Sequence, residues 1–270
     1  MIQASDKVFA GSIPELYDTL LVPLIFEVYA RDLAARVARF TPASVLEIAA
    51  GTGALTSALV SQLSAHCSIV ASDLNQPMLD RAATKPELQG RVTFRQADAL
   101  ALPFDDSRFD LVVCQFGAMF FPDRIEGYRQ ARRVLKPGGR FVFNVWDEIG
   151  TNEFTDVVVQ SLATVFPEDP PAFLARTPHG YHDVERIRAD VKSAGFAEVS
   201  IATVGHVSKA PSPREPAIAF VQGTPTRNEI EARGGSLEQA TDVATAALAA
   251  RFGHGAIEGG IRAHVITASG

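Results

Sequence analysis

The run Val45-Leu-Glu-Ile-Ala-Ala-Gly-Thr-Gly-Ala-Leu-Thr56, followed by Asp73 at the end of the next apolar stretch, is the part of this chain best suited to chemistry. It reads as a buried strand, a glycine turn and the start of a helix. Gly51 and Gly53 let the backbone approach a ligand with no Cβ in the way. The helix that follows turns free N–H groups toward the same place. Asp73 lies about 20 positions past the turn, where a carboxylate can take the two hydroxyls of a ribose. The pattern calls for a nucleoside-bearing cofactor and leaves open which one.

Such a turn works only at the edge of a sheet, and the flanking sequence supplies one. Strand-like runs at 44–50, 68–73, 92–97, 109–115 and 139–146 alternate with helical segments near 53–64, 76–84 and 123–135. That alternation implies a parallel sheet covered on both faces. Ile125, Tyr128, Ala131 and Leu135 share a face of the third helix. Asn75 is placed to cap the second helix, with Pro77 in its first turn. Two late strands, 197–204 and 261–268, bring the total to seven. A helix from the N-cap Asp183 to Gly195 precedes the first of them, with Val184, Ile187, Val191 and Ala194 inward. The expected fold is α/β, a doubly wound, mostly parallel seven-stranded sheet with a helical cap.

Three segments fall outside the alternation. Residues 1–43 suggest two N-terminal helices forming a lid, the first opening with the capping-box pattern Ser12-x-x-Glu15 and the second ending before Pro42. Residues 206–258 form a helical insertion in which Ser236-x-x-Gln239 opens a helix, and the Pro- and Phe-rich residues 147–180 add to the same cap. The sheet domain is then 44–205 with 259–270. Insertions at the rim of such a sheet usually cover a ligand site.

Bulk properties narrow the class. At 270 residues and 47% apolar content the chain can bury a sizeable core. A net charge of −6, with no stripe of Lys and Arg, argues against a nucleic-acid partner. Cys67 and Cys114 sit in apolar runs and read as reduced core residues. The first residues lack a signal-peptide pattern, and Leu20 to Phe26 is too short to span a bilayer, so a cytoplasmic enzyme is expected. The scattered His206, His254 and His264 show no metal-ligand spacing, and no metal is expected.

A glycine turn alone serves nicotinamide, flavin and S-adenosylmethionine (SAM) proteins. The nicotinamide pattern wants a third glycine where Thr56 stands. The form Glu47-x-Ala49-x-Gly51-x-Gly53 instead resembles the first motif of the class I SAM-dependent methyltransferases, which usually have Gly where this chain has Ala49. Arg95-Gln-Ala-Asp98 through Pro103-Phe104 is similar to that family's acidic loop after the third strand. Phe109 to Phe116 resembles its fourth strand, and Val134-Leu-Lys136-Pro137-Gly138-Gly139 its turn into the fifth. The likeness covers residues 44–146 well and 183–204 with 261–268 loosely, and it is greatest to the quinone-biosynthesis and small-molecule branch.

The resemblance implies roles. The backbone around Ala49, Ala50, Gly51, Thr52 and Gly53 would follow the methionine and ribose of SAM, and Glu47 would steady the methionine ammonium. Asp73 would bind the ribose, with Leu74 and Met78 on the adenine and Ala97, Asp98 and Ala99 along its other edge. Gln115 and Phe116 would flank the transferring methyl. The product would be S-adenosylhomocysteine, and the partner a small-molecule methyl acceptor methylated on O, N or C. Tyr17, Phe26 and Tyr181 are candidates for acceptor contact. His179 and His182, in the loop Arg176-Thr-Pro-His-Gly-Tyr-His-Asp183, are candidates for a general base. Phe154, Phe166, Phe173 and Phe220 in the insertions point to an apolar acceptor. Two other functions compete: an NAD(P)-dependent oxidoreductase, which gives Asp98 and Gln115 no role, and a SAM-binding protein without catalysis. Whether the chain forms a homodimer is left open.

Overall fold

The computed structural model describes residue 6 and residues 11–270. Seven strands form one sheet in the order β3-β2-β1-β4-β5-β7-β6. The first five are β1 (Ser44–Ile48), β2 (Ser68–Asp73), β3 (Val92–Gln96), β4 (Phe109–Gln115) and β5 (Leu135–Trp146), and the last two are β6 (Glu198–Ala210) and β7 (Ile257–Ser269). Neighbouring strands among the first five pair in parallel. Ala197 N–H donates to Ser269 O, and Thr203 bonds His264, so the β6 and β7 positions sum to a near-constant value, as antiparallel pairing requires. Between β1 and β4 the chain order reverses. This is the switch point at which ligands bind outside the carboxyl ends of the strands.

The chain divides into two compact units. The sheet unit holds Glu27–Val145, His182–Val204 and Ala263–Gly270. Its helices include α2 (Glu27–Ala38), α3 (Ala54–Gln62), α4 (Gln76–Ala83), α5 (Arg124–Val134) and α8 (Val184–Ser193). The other unit holds the chain up to Phe26 with Trp146–Tyr181 and Gly205–Arg262. It contains α1 (Ile13–Leu16), a π-helix (Tyr17–Phe26), α6 (Glu153–Val165), α7 (Phe173–Arg176), α9 (Arg214–Gln222), α10 (Thr226–Ala232) and α11 (Leu237–Phe252).

The core of the sheet unit explains where the N-terminal segment divides. Leu33, Ala34 and Val37 on α2 pack with Leu55 and Leu59 of α3 and with Val45, Leu111 and Val142 of the sheet. α2 is therefore a layer of the sheet unit and not part of a lid ending at residue 43. The expected pair of helices is instead one helical run that widens to π geometry around Pro23, where an interior helical N–H is missing. The expected capping box is also absent. The Ser12 side chain makes no cap bond, and its Oγ accepts from Arg227 instead.

Two other starts follow the sequence: Asp183 accepts from Glu185 and Arg186 N–H, and Ser236 from Gln239 N–H. Asn75 occupies its N-cap position without a side-chain cap bond. The Lys136-to-Gly139 segment, expected as a turn, lies inside β5 as a bulge. Phe109 pairs with Leu135 but Leu111 with Arg140, so five positions of β5 oppose two of β4. Gly138 absorbs the excess at φ +78. Among the described residues no helix is long and apolar enough to cross a membrane. Both cysteines are free and buried.

Candidate cofactor site

At the carboxyl edge of the sheet unit the ends of β1, β2 and β4 meet, and Asp73 joins the first two. Its Oδ2 accepts from Gly51 N–H at 2.8 Å and its Oδ1 from Asn75 N–H at 2.8 Å. The carboxylate thus holds the glycine turn and the start of α4 together. Burial pushes the Asp73 pKa up, opposed by these backbone N–H bonds. Gly51 has φ +56 and Gly53 φ +82, and a Cβ on Gly53 would come within 3.1 Å of Ala82 and 3.2 Å of Leu88. Both glycines are demanded by conformation, and the second also by space.

Glu47 lies one strand inward with 1% of its surface exposed. Its Oε2 accepts from Thr56 Oγ1 at 2.6 Å. Burial raises its pKa from 4.5 to about 8, and the Asp73 charge adds to the rise while the Thr56 bond opposes it. The free protein therefore carries a largely protonated Glu47 at pH 7, and an arriving cation would favour its ionised form. Thr52 Oγ1 is buried with no hydrogen-bond partner among the described residues. Such a group calls for a ligand or water to satisfy it.

The remaining candidates sort by exposure. Leu74, beside Asp73, leaves 45% of its surface open; among the described residues only Val207 is another large apolar side chain so exposed. Met78 is buried, and its Cε would sit 3.7 Å from a Cβ on Gly51. Ala97 N–H bonds Asp73 O, which ties the acidic loop to β2. Asp98 is exposed, and its Oδ1 accepts from Leu100 N–H; Ala99 is buried. Ala50 N–H bonds Ser72 O, a further tie between the ends of β1 and β2.

On the β4 side, Gln115 pairs with Asn144 of β5, and Phe116 is buried. Ala49 at φ +55 and Phe116 at φ +50 both take the left-handed conformation. Ala stands where the family usually has Gly, and here that departure costs about 1–2 kcal/mol of backbone strain. A Cβ on Gly117 would lie 2.4 Å from Ala49 Cβ, so the extra methyl is accommodated by a glycine just past the end of β4. The Phe116 ring meets the Tyr29 ring edge-on at 5.4 Å, and Tyr29 OH donates to Val204 O.

The expected acceptor and base residues divide. His182 is exposed, within the sheet unit, next to the N-cap Asp183. His179 belongs to the other unit and is buried, with Nδ1 2.8 Å from Asp147 O. A carbonyl only accepts, so His179 Nδ1 carries a proton. Tyr17 stacks on Phe26 at 5.0 Å, Phe26 lies 5.9 Å from Trp146, and Trp146 lies 6.0 Å from His179. Trp146, to which the sequence analysis gave no role, links two sets of candidates into one row of rings. Tyr181, at 1% exposure, is packed inside and presents no open surface.

Comparison with known proteins fits this geometry. Residues 45–139 match the model of a methyltransferase domain family. A demethylmenaquinone methyltransferase of Lactobacillus johnsonii is 31% identical over 168 residues, covering 58% of this chain and 68% of that one. The chain belongs to the class I SAM-dependent methyltransferases. A ubiquinone/menaquinone biosynthesis C-methyltransferase of Idiomarina loihiensis is 32% identical over 167 residues, or 57% of this chain; the match spans 66% of that relative, just under two thirds of its length. A structure from Methanococcus maripaludis described as an S-adenosyl-L-methionine-dependent methyltransferase superposes with a TM-score of 0.55 at 25% identity, covering 75% of this chain and 90% of that one.

The side chains suit SAM. A buried carboxyl able to ionise beside a cation, a second buried carboxyl at the end of the next strand, an exposed leucine and an unmet hydroxyl form one donor set. Two outcomes follow. Asp73→Ala strips a partner from two backbone N–H groups and destabilises the fold by about 1–3 kcal/mol in urea unfolding, besides weakening S-adenosylhomocysteine in calorimetric titration. Glu47 keeps its proton in the folded chain to about pH 8, whereas the unfolded chain releases it near 4.5. Its contribution is thus complete below the lower value and declines, by up to about 1.4 kcal/mol per pH unit, until the upper one. Denaturation across this range gives a smaller fall in stability with pH for Glu47→Gln than for the wild type.

Proposed function

We propose that this protein transfers the methyl group of SAM to an apolar, ring-bearing small molecule. The observation that carries the proposal is the Asp73 carboxylate bonded to Gly51 and Asn75 N–H beside the exposed Leu74. In this reading Asp73 takes the ribose hydroxyls and Leu74 with Met78 lies on the adenine. Ala97, Asp98 and Ala99 border its other edge, and Glu47 faces the ammonium. The backbone from Ala49 to Gly53 follows the amino-acid chain, and Gln115 and Phe116 flank the methyl.

A bound sulfonium supplies an already activated methyl group, so the protein's share of the catalysis is mainly placement. Holding nucleophile and methyl in line is worth about 7–11 kcal/mol of barrier. The two relatives named above bear names of quinone-pathway methyltransferases, which supports a ring-bearing acceptor here. We assign acceptor contact to the row Tyr17, Phe26, Trp146 and His179, of which the last three are buried. An acceptor that must lose a proton needs a base, and we assign that role to His179. His182 is exposed and is assigned no step.

Thermal melting tests the cofactor. SAM or S-adenosylhomocysteine at 100 times its Kd stabilises by about 2.7 kcal/mol, while NAD and NADP leave the melting temperature unchanged. Stabilisation by NAD instead would return the oxidoreductase reading. A library of ring-bearing acceptors, beginning with a reduced demethylmenaquinone analogue and scored by release of S-adenosylhomocysteine, tests the acceptor. Cofactor binding with no turnover on any acceptor would favour the non-catalytic reading. With an acceptor that loses a proton, His179→Ala lowers kcat by about 100-fold or more and His182→Ala leaves it near wild type. Equal rates for the two variants would remove the base.

A further inference from the structure

Strand β5 reads Phe141-Val-Phe-Asn144-Val-Trp146, and every one of these side chains is buried. A fully enclosed amide in an otherwise apolar strand needs a reason, because burying a polar group without partners is unfavourable. Only part of that cost is recovered. Asn144 Oδ1 accepts from Phe116 N–H at 3.0 Å, while Nδ2 has no partner among the described residues. The one contact found for the side chain is therefore with the backbone of Phe116.

That backbone needs help. Phe116 takes the left-handed conformation at φ +50, which a bulky residue adopts only when its surroundings enforce it. The parallel ladder already brings the Asn144 main-chain O within 3.2 Å of the same N–H. The side-chain Oδ1 makes this a forked bond from one residue, closing on the N–H from two sides. Asn144 is itself well anchored, since neighbouring Phe143 stacks on Phe141 at 4.7 Å and meets Tyr128 at 5.2 Å. On the far side Tyr29 holds the Phe116 ring edge-on. Gly117, which follows, admits no Cβ beside Ala49 and Cys114.

We propose that Asn144 is a positioning residue that locks the left-handed turn at Phe116 and so fixes the wall facing the amino-acid end of the bound cofactor. The assignment rests on the proposed placement of Phe116 beside the methionine part, and Asn144 acts through Phe116 rather than by touching the cofactor. Loss of the lock loosens only the end of β4. The junction of β1 and β2 around Asp73, proposed to carry the ribose and adenine, has its own hydrogen bonds and stays intact.

Two probes that share an adenosine but differ in the amino-acid end separate this from general damage. The full chain and its Asn144→Ala and Asn144→Asp variants are titrated calorimetrically with S-adenosylhomocysteine and with 5′-methylthioadenosine, which lacks that end. Asn144→Ala weakens S-adenosylhomocysteine on the order of tenfold and leaves 5′-methylthioadenosine within about twofold. Asn144→Asp, which keeps an oxygen at the same place, binds both probes nearly as the wild type does. In a Phe116→Gly background, where glycine takes positive φ without restraint, adding Asn144→Ala has no further effect on S-adenosylhomocysteine. Should Asn144→Ala unfold at the titration temperature, Asn144→Ser carries the same comparison. Equal weakening of both probes, or of neither, would overturn the assignment. A wild-type chain that binds neither probe would instead overturn the underlying functional reading, and this assignment with it.

Discussion

The site depends on one buried carboxylate doing two jobs. Asp73 closes β2, yet its oxygens are spent on the N–H groups of Gly51 and Asn75, so the glycine turn after β1 and the start of α4 are fixed by the same side chain. The bond to Asp73 holds Gly51 at φ +56. Burial raises the Asp73 pKa, and the N–H bonds oppose that rise. Burial raises the pKa of Glu47 as well. It has one hydroxyl partner and a nearby like charge, and in the free protein it holds its proton to about pH 8.

A second constraint acts where β1 and β4 run side by side. Their ends approach so closely that a Cβ on Gly117 would overlap Ala49. Both Ala49 and Phe116 are driven into left-handed backbone there. Strain of this kind persists only where the surroundings over-determine it. The hydrogen bonds that Phe116 N–H donates to Asn144 and the edge-on Tyr29 ring supply that restraint for Phe116. The Ala in place of the family's usual Gly tightens the same spot and is tolerated because Gly117, just past the end of β4, has no Cβ.

Much of this was legible in the sequence. The alternation of apolar runs with helical spacing gave the strands and their parallel pairing, and the distance from Gly53 to Asp73 gave the place of the carboxylate. What escaped depended on long-range contacts or on misleading local punctuation. Pro137-Gly138-Gly139 spells a turn, but a neighbouring strand captures it as a bulge. Ser12-x-x-Glu15 spells a cap, but Arg227, more than 200 residues away in the chain, takes the serine. Asn144 is hidden because one polar residue in an apolar run carries no periodic signal, and Trp146 because a lone tryptophan reads as core. The proton on His179 Nδ1 is set by the carbonyl of Asp147, which no local pattern announces.

The most direct measurement is a crystal structure of the protein with S-adenosylhomocysteine. The account requires a ribose hydroxyl within hydrogen-bonding distance of Asp73 while Gly51 N–H still bonds the same carboxylate, with the adenine against Leu74. A nucleoside bound elsewhere, or an Asp73 side chain turned away from the sugar, would contradict it.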